Sequence, residues 1–238
     1  MKSMAKSKKG IFIVIDGTDG SGKATQVALL AERLKKEGHK VKVADFPEYY
    51  DNFFGKFIGH CLTEQYYNWL SVHPKIASVV YAADRWESKA KIDKWLADGN
   101  IVISNRYVSS NQIHQGGKIA SSAKRKAFIK WLDEMEYGTF KIPRPDLTLY
   151  LSLPIEIILK LIEKRESSQM KRKYLKKNKD VHESDVSFLT NSRRSAMWLP
   201  KILKNFVKIE CSKKGEILTR EAIHEMIYKE VRQKTLYL

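Results

Sequence analysis

The sequence is short of the features that mark secreted, membrane or metal-cluster proteins. It has only two cysteines, Cys61 and Cys211, which excludes a disulfide framework and offers no cysteine-based metal site. No apolar run is long enough to cross a bilayer, and the run behind the basic start, "IFIVI", is too short for a secretory signal. These absences predict a soluble cytoplasmic protein with no membrane partner.

Linkers and internal repeats are also missing. No Pro/Gly/Ser-rich stretch or self-similar segment divides the 238 residues, a length that suits one large α/β domain. With 43% hydrophobic and 30% charged residues, the chain is neither disordered nor fibrous. We therefore predict a single domain over residues 10–238, preceded by a flexible basic tail over residues 1–9.

What the sequence has in excess is positive charge. Lys and Arg number 44 against 27 acidic residues, a formal net charge of +17. Such a balance suits a nucleic-acid partner held through counterion release, and it equally suits an enzyme that handles several phosphates. Aromatic-basic interleaving, paired Cys/His and basic heptads are missing, so a nucleic-acid partner stays an open alternative that the motifs do not favour.

Short apolar runs alternate with helical patterns along the chain. The predicted strands cover residues 11–16, 40–46, 101–104, 146–153 and 205–211. The predicted helices cover residues 24–37, 74–98, 120–137, 154–168, 182–203 and 219–233. This alternation predicts a three-layer α/β fold, a five-stranded parallel sheet flanked by helices, with ligands at the carboxyl ends of the strands.

Residues 17–23, "GTDGSGK", fit the phosphate-binding pattern G-x-x-x-x-G-K after a predicted strand and before a predicted helix. In such a P-loop, backbone N–H groups and the helix N-terminus surround phosphate oxygens, and Lys23 reaches the β- and γ-phosphates. The pattern predicts a P-loop NTPase fold with a catalytic Lys23. The ATP-binding residues are Gly17, Thr18, Asp19, Gly20, Ser21, Gly22, Lys23, Ala24 and Thr25.

The loop departs from the pattern at Ala24, where a Ser or Thr hydroxyl normally meets magnesium. Magnesium keeps several waters and needs only one or two carboxylates, and Asp19 and Asp16 are placed to supply them. Thr25 is offset by about 100° around a helix and does not substitute. We therefore predict a working loop with altered Mg²⁺ ligation.

Two arginines lie near the predicted strand ends. Arg106 follows a buried strand directly, in "ISNRYVSSNQIHQGG", and Arg85 lies on a helix in "VVYAADRWE". A third segment, "DFPEYY", follows another strand. Arginines beside a phosphate loop suit phosphoryl transfer, because that reaction depends on positioning and charge neutralisation.

With these segments in order, the chain resembles the thymidylate kinases, the P-loop enzymes that pass the γ-phosphate of ATP to dTMP. The resemblance runs from about Gly10 to at least Leu199, on "FIVIDGTDGSGK", "FPEY", "YAADRWE", "NRYVSSNQIHQGG", "RPDLTLYL" and "DVHE". It implies one nucleoside-monophosphate kinase domain with a short basic lid over about residues 165–181. It also implies ATP and dTMP as substrates, Mg²⁺, and a homodimer packed through helices.

The resemblance also implies roles for single residues. Tyr81 falls where the family stacks an aromatic ring on thymine, and Arg85, one helical turn later, reaches the base or the acceptor phosphate. Arg106 matches the arginine that contacts the transferred phosphoryl group. Asn111 matches a position that hydrogen-bonds the base. The remaining residues expected on the acceptor side are Phe46, Tyr49, His114, Gln115 and His182.

The basic stretch 164–180 has two readings. A charge run by itself indicates a solvated face, whereas the resemblance makes it a lid that closes over the phosphates. In some family members an arginine follows the Asp of the P-loop, and here that position is Gly20. The lid should then carry the catalytic charge on Arg165 and Arg172, with Glu183 of the following D-x-x-E as a metal or ribose ligand.

Three further positions depart from the family pattern. Asn105 replaces an Asp that orders magnesium and the next arginine, His114 replaces a Tyr that touches the nucleoside, and Glu48 replaces an Arg near the acceptor phosphate. We predict transfer of phosphate from ATP to dTMP. A kinase for dUMP or another deoxynucleotide, and a catalytically weak P-loop protein that binds nucleic acid, remain as alternatives.

Overall fold

The computed structural model describes residues 10–63, 66, 68–167 and 185–235. The predicted tail and most of the predicted lid lie outside these residues. So do Arg172, His182 and Glu183, and the side chain of Arg165.

Strands and helices alternate along the described chain. The strands are β1 (Ile11–Gly17), β2 (Val41–Asp45), β3 (Ile101–Asn105), β4 (Leu147–Ser152), β5 (Phe206–Glu210), β6 (Ser212–Lys213) and β7 (Glu216–Ile217). The helices are α1 (Lys23–Lys36), α2 (Phe53–Leu62), α3 (Pro74–Glu87), α4 (Lys89–Ala97), α5 (Val108–Ser110), α6 (Ser122–Asp133), α7 (Ile155–Ser167), α8 (Val186–Trp198) and α9 (Arg220–Thr235). Two π-helical turns, Asn111–Gln115 and Glu134–Thr139, extend α5 and α6.

The main sheet has five strands in the order β2-β3-β1-β4-β5, and every neighbouring pair is parallel. The predicted five-stranded parallel sheet flanked by helices is confirmed. β1 lies at its centre, so the glycine loop that follows Gly17 starts at the middle of the carboxyl edge. Asp45 and Asn105 end the neighbouring strands β2 and β3 in register.

The core explains why β1 is a continuous apolar run. Ile13 and Ile15 pack on one side of the sheet in a cluster with α1 and α9, whereas Phe12 and Val14 pack on the other side with Tyr107. The side chains of β1 are therefore buried on both faces, as expected of a central parallel strand. Burying each such side chain contributes about 1.5–3 kcal/mol, which anchors the loop at the sheet edge.

The prediction of one helix over residues 74–98 is wrong, because the chain breaks at Ser88 between α3 and α4. The amide of Asn52 donates to the carbonyl oxygen of Asp84 at 2.8 Å. That carbonyl is the acceptor that the N–H of Ser88 would use in an unbroken helix, and the N–H of Ser88 bonds Trp86 O instead.

The ends of two other helices also differ from prediction. The helix predicted over 120–137 is α6, which gives way to a π-helical turn after Asp133. The predicted extension of α8 to residue 203 is wrong, because Pro200 lacks the N–H that would continue it and the chain makes a short 3-10 turn. Helix α2 and the hairpin of β6 and β7 were not predicted.

Among the described residues, no helix combines the length and the apolar composition that a membrane crossing requires.

Candidate active site

The glycine loop is a tight turn between β1 and α1. Gly20 and Gly22 have φ values of 79° and 83°, in the left-handed region that favours glycine. A Cβ on Gly17 would lie 2.5 Å from Ser21 Oγ and 3.0 Å from the carbonyl oxygen of Leu151, so a side chain there would crowd the loop. Ser21 N donates to Thr18 O at 3.2 Å. The loop therefore curls over the end of β1.

Lys23, the first residue of α1, has its side chain inside this loop. Its Nζ donates to the carbonyl oxygens of Gly17 and Thr18, both at 2.9 Å, and lies 3.9 Å from Asp19 Oδ1. Only 7% of the residue is exposed. Ala24 and Thr25, the last two residues predicted to bind ATP, are exposed on the first turn of α1.

Asp16, predicted as a metal ligand, ends β1 with a fully buried side chain. Its Oδ1 accepts from Gly17 N at 2.8 Å, and its Oδ2 accepts from the hydroxyls of Ser109 and Ser110 at 2.5 and 2.8 Å. Both oxygens thus accept hydrogen bonds from the protein. These bonds tie the end of β1 to α5.

Arg106 follows β3 with a φ of 64°, which is uncommon for a residue with a side chain. Its Nη2 forms an ion pair with Asp19 of the glycine loop, and its Nη1 donates to His114 Nε2 at 3.1 Å. Because a guanidinium only donates, Nε2 of His114 accepts and Nδ1 carries the proton toward Ser192 Oγ, 3.1 Å away. The ring of His114 also stacks on Phe188.

A cavity opens beside this ion pair. It brings together six of the residues predicted to bind nucleotide or metal, namely Asp19, Phe46, Tyr49, Tyr81, Arg85 and Arg106. The Oη of Tyr81 accepts from Trp69 Nε1 at 3.1 Å, which fixes the tyrosine ring at the wall. Residues from the glycine loop, the end of β2, α3 and the end of β3 thus face one space.

Other predicted residues lie behind this wall rather than on it. Asn111, His114 and Gln115 are all buried on the π-helical turn after α5. Asn111 donates to Ser78 O at 3.2 Å and to Glu136 Oε1 at 3.1 Å. Oε1 of Gln115 has no hydrogen-bond partner among the described residues.

Arg85 is buried against a carboxylate that also holds Asn111. Glu136 accepts from Arg85 Nε at 2.7 Å and from Nη2 at 2.8 Å, and both side chains are almost fully enclosed. Burial lowers the pKa of Arg85, but the Glu136 carboxylate more than offsets this and leaves the pKa above its ordinary value. Arg85 is therefore a permanent cation at the cavity wall.

Asp84, beside Arg85, also lines the cavity, and burial raises its pKa from 3.8 to about 6 although Asn52 donates a hydrogen bond to it. The folded state therefore binds more protons than the unfolded state between about pH 4 and 6. The free energy of unfolding then falls as pH rises through this window, by about 2–3 kcal/mol for this group.

We expect Asp84→Asn to remove this fall, so that the difference in unfolding free energy between variant and wild type changes between pH 4.5 and pH 7. Urea unfolding at the two pH values measures it. Asp98→Asn, at a half-exposed carboxylate on the surface, is the control and should keep the wild-type slope. A wild-type slope in Asp84→Asn would show that another group causes the pH dependence.

Asn105, which ends β3 and departs from the family pattern, also has a hydrogen-bond partner. Asn105 Nδ2 donates to Asp45 Oδ1 at 2.8 Å, and the buried Oδ1 of Asn105 has no hydrogen-bond partner in the described part of the chain. That oxygen is a suitable acceptor for a cation or for metal-bound water. Within the described ranges, no group of three or more His, Cys, Asp or Glu side chains is arranged to hold a metal ion.

Comparison with known proteins agrees with this geometry. The family model described as thymidylate kinase matches residues 15–227. The chain belongs to the thymidylate kinase family. It is therefore a nucleoside-monophosphate kinase, and this family of phosphotransferases uses ATP.

Individual thymidylate kinases are similar over most of the chain. A probable thymidylate kinase of Thermococcus onnurineus is 34% identical over 179 residues, covering 73% of this chain and 82% of that protein. The thymidylate kinase of Schizosaccharomyces pombe is 29% identical over 202 residues, 82% and 89% of the two chains. The solved thymidylate kinase of Candida albicans has a TM-score of 0.69 at 23% identity, with 95% and 93% covered, and shares the fold.

Several residues of this thymidylate kinase site were not predicted from the sequence. Ser109 and Ser110 lie inside the motif "NRYVSSNQIHQGG", and Asp84 directly precedes Arg85, so the sequence did carry a signal for them. Asp45 precedes the quoted "FPEY" in the same way. Glu136 had none, because it lies 51 residues from Arg85 on a turn that was predicted as ordinary helix.

Proposed function

We propose that the protein transfers the γ-phosphoryl group of ATP to dTMP, giving dTDP and ADP. One observation carries the proposal: Asp19 of the phosphate loop lines the same cavity as Tyr81, Arg85 and Arg106. A donor held by the loop and an acceptor held in the cavity would thus meet at Arg106, which contacts Asp19.

The donor half of the reaction depends on the glycine loop. Its N–H groups, the N-terminus of α1 and Nζ of Lys23 would bind the phosphates of ATP. Arg106 would exchange Asp19 for phosphoryl oxygens and neutralise the charge that spreads over them during transfer. Fixed positive charge of this kind supplies most of the catalysis in phosphoryl transfer.

The acceptor half depends on the cavity walls. Phe46, Tyr49 and Tyr81 would enclose the base and sugar between aromatic rings, with thymine stacked on Tyr81. Arg85 adds N–H donors, which suit a base carbonyl. His114 is held by Arg106 and Ser192, so it would act on the acceptor through Arg106.

We also propose Mg²⁺ as the cofactor, which would neutralise charge on the phosphates of ATP. The residues fit it in part: Asp19 and Asp16 offer carboxylates, and the orphaned Oδ1 of Asn105 offers an oxygen. Ala24 offers none. Glu183, outside the described residues, is the remaining proposed ligand.

The single kinase domain over residues 10–238, with a lid over about 165–181 that carries Arg165 and Arg172, is part of the proposal. Helix α7 supports it, because Ile158, Leu161 and Ile162 pack beside Gly20 of the glycine loop. Helix α7, which precedes the basic stretch, therefore packs beside the loop. The buried free thiols of Cys61 and Cys211 support a reducing, cytoplasmic location.

A coupled assay of ADP release with ATP, Mg²⁺ and a panel of dTMP, dUMP, dCMP, dGMP and dAMP tests the reaction. We expect dTMP to give the highest kcat/KM. Higher turnover with dUMP or another acceptor would correct the substrate. No acceptor-dependent ADP release with any of the five would overturn the proposal.

We propose that the homodimer forms through α3. Its outer face carries the exposed apolar side chains of Ile76, Val79 and Trp86, exposed by 61%, 42% and 53%. The spacing of three and then seven residues puts them on one stripe. An exposed apolar stripe on a helix suits a two-fold interface, where each copy covers the other.

Val79→Glu should therefore dissociate the dimer, because the two-fold interface would bury two carboxylates, one from each copy of the chain. We expect dimer affinity to fall at least about thirtyfold, measured by sedimentation equilibrium. Val186→Glu, at an apolar residue on α8 that is 49% exposed, is the matched control and should leave the wild-type mass. An unchanged mass for Val79→Glu would place any interface elsewhere.

A further inference from the structure

Glu136 is a buried carboxylate far from the phosphate loop in sequence. It lies on the π-helical turn after α6 with 0% exposure, whereas Glu134, two residues earlier, is exposed. Its Oε2 accepts from Arg85 Nε, and its Oε1 accepts from both Arg85 Nη2 and Asn111 Nδ2. One carboxylate therefore holds two of the residues expected on the acceptor side.

We infer that Glu136 is a positioning residue that sets which base the acceptor carries, by fixing Arg85 at the cavity wall. The inference rests on the proposed function and deepens it. Among the described residues Glu136 makes no hydrogen bond or ion pair with the glycine loop, so its effect should be confined to the acceptor.

The hydrogen-bond count shows what Glu136 leaves for a ligand. Arg85 has five N–H bonds. The one on Nε and one of the two on Nη2 donate to Glu136, and one of the two on Nη1 donates weakly to Tyr107 O at 3.4 Å. Within the described part of the chain, one hydrogen on each terminal nitrogen remains. These are donors only, so they match the O4 carbonyl of thymine or uracil and oppose the N4 amine of cytosine.

Asn111 is the second residue that Glu136 holds. Both hydrogens of its amide are used, one by Ser78 O and one by Glu136 Oε1, which fixes the orientation of the amide. Only the oxygen of Asn111 is left, and it can only accept. Asn111 lies behind the cavity wall, so its bond to Glu136 holds the carboxylate in place for Arg85.

Stabilisation of the fold does not by itself explain this ion pair, because an enclosed ion pair gains little net free energy over apolar packing. What it does provide is a single geometry. The bidentate contact fixes both the direction and the rotation of the guanidinium plane.

A glutamine at this position cannot reproduce the contact. The three donors use both oxygens of Glu136, and an amide has only one. In either orientation of the substituted amide, its NH₂ group would face an N–H of Arg85. The guanidinium must then move away from its position at the wall.

We therefore expect Glu136→Gln to raise the KM for dTMP about tenfold or more and to lower the preference for dTMP over dCMP about tenfold. The KM for ATP should stay within twofold of wild type. The measurement is the coupled assay with each substrate varied in turn. Glu134→Gln, the same change at an exposed neighbour, is the control and should match wild type in all three quantities.

Glu136→Asp keeps the charge and covers the case in which Glu136→Gln does not fold. Its shorter side chain retracts the carboxylate, so the KM for dTMP should still rise with the melting temperature near that of wild type. A double-mutant cycle with Arg85→Lys tests whether Glu136 acts through Arg85. Adding Glu136→Gln to Arg85→Lys should raise the KM for dTMP no further.

The inference is overturned if folded Glu136→Gln and Glu136→Asp keep the wild-type KM and base preference, or if the KM for ATP rises as much as that for dTMP. Failure of the proposed function looks different, because the wild-type protein itself would then release no ADP in response to dTMP.

Discussion

Replacing Lys23 with alanine lowers kcat/KM for phosphoryl transfer by about a thousandfold or more. The ammonium lies inside the glycine loop, within 2.9 Å of two of its carbonyl oxygens, and only 7% of the residue is exposed. A buried, pre-positioned charge acts on developing phosphate charge far more strongly than a charge in water does. Steady-state ADP release at saturating dTMP measures the loss, and circular dichroism confirms that the variant is folded.

Lys36→Ala is the matched control for Lys23→Ala. Lys36 ends the same helix, its side chain is 74% exposed, and its ion pair is with Glu32 one turn earlier. It should leave kcat/KM unchanged. If Lys23→Ala retained activity within tenfold of wild type, the glycine loop would not be the donor site, and the proposed reaction path would fail with it.

The sheet could be predicted from the sequence because its signals are local. The strands of the main sheet are short segments rich in apolar residues, and Gly20 and Gly22 of "GTDGSGK" are needed by the backbone angles of the loop itself. Parallel strands bring their carboxyl ends to one edge, so Asp16 and Arg106 were predicted near the loop without knowledge of their contacts. The confirmed fold follows from these short-range patterns.

The errors arise where a distant side chain decides a local structure. The break at Ser88 depends on Asn52, which is 36 residues away from it. Helix α2 was missed because glycine is a weak helix former, yet Gly55 is where a Cβ would lie 2.0 Å from Glu48 O. Packing favours glycine there, and no local pattern shows it.

The candidate site divides in the same way. Apart from Leu62, the residues that line the cavity come from the sequence motifs, because motifs carry the chemistry that meets the ligands. The residues that hold these side chains in place need not lie in motifs. Glu136 holds Arg85 and Asn111 from a π-helical turn, and such a turn differs from an α-helix by its hydrogen-bond partners rather than by its composition.

Arg106 combines a proposed catalytic side chain with a strained backbone, and two substitutions separate the two effects. Its φ of 64° costs a residue with a side chain about 1 kcal/mol or more, and glycine escapes this cost. Arg106→Gly and Arg106→Ala both remove the guanidinium, so we expect both to lower kcat by about a thousandfold. In unfolding by denaturant, Arg106→Gly should be the more stable of the two by about 1 kcal/mol.

Alanine is ordinarily the more stabilising of the two residues, so a more stable glycine variant would report the backbone strain at position 106 alone. Both variants lose the ion pair with Asp19 and the hydrogen bond to His114, so these losses cancel in the comparison. At Lys36, in the last turn of α1, alanine should be more stable than glycine by the usual margin of about 1 kcal/mol. If alanine were the more stable residue at position 106 as well, the left-handed backbone would carry no strain. The guanidinium would then be held over the loop by its side-chain contacts alone.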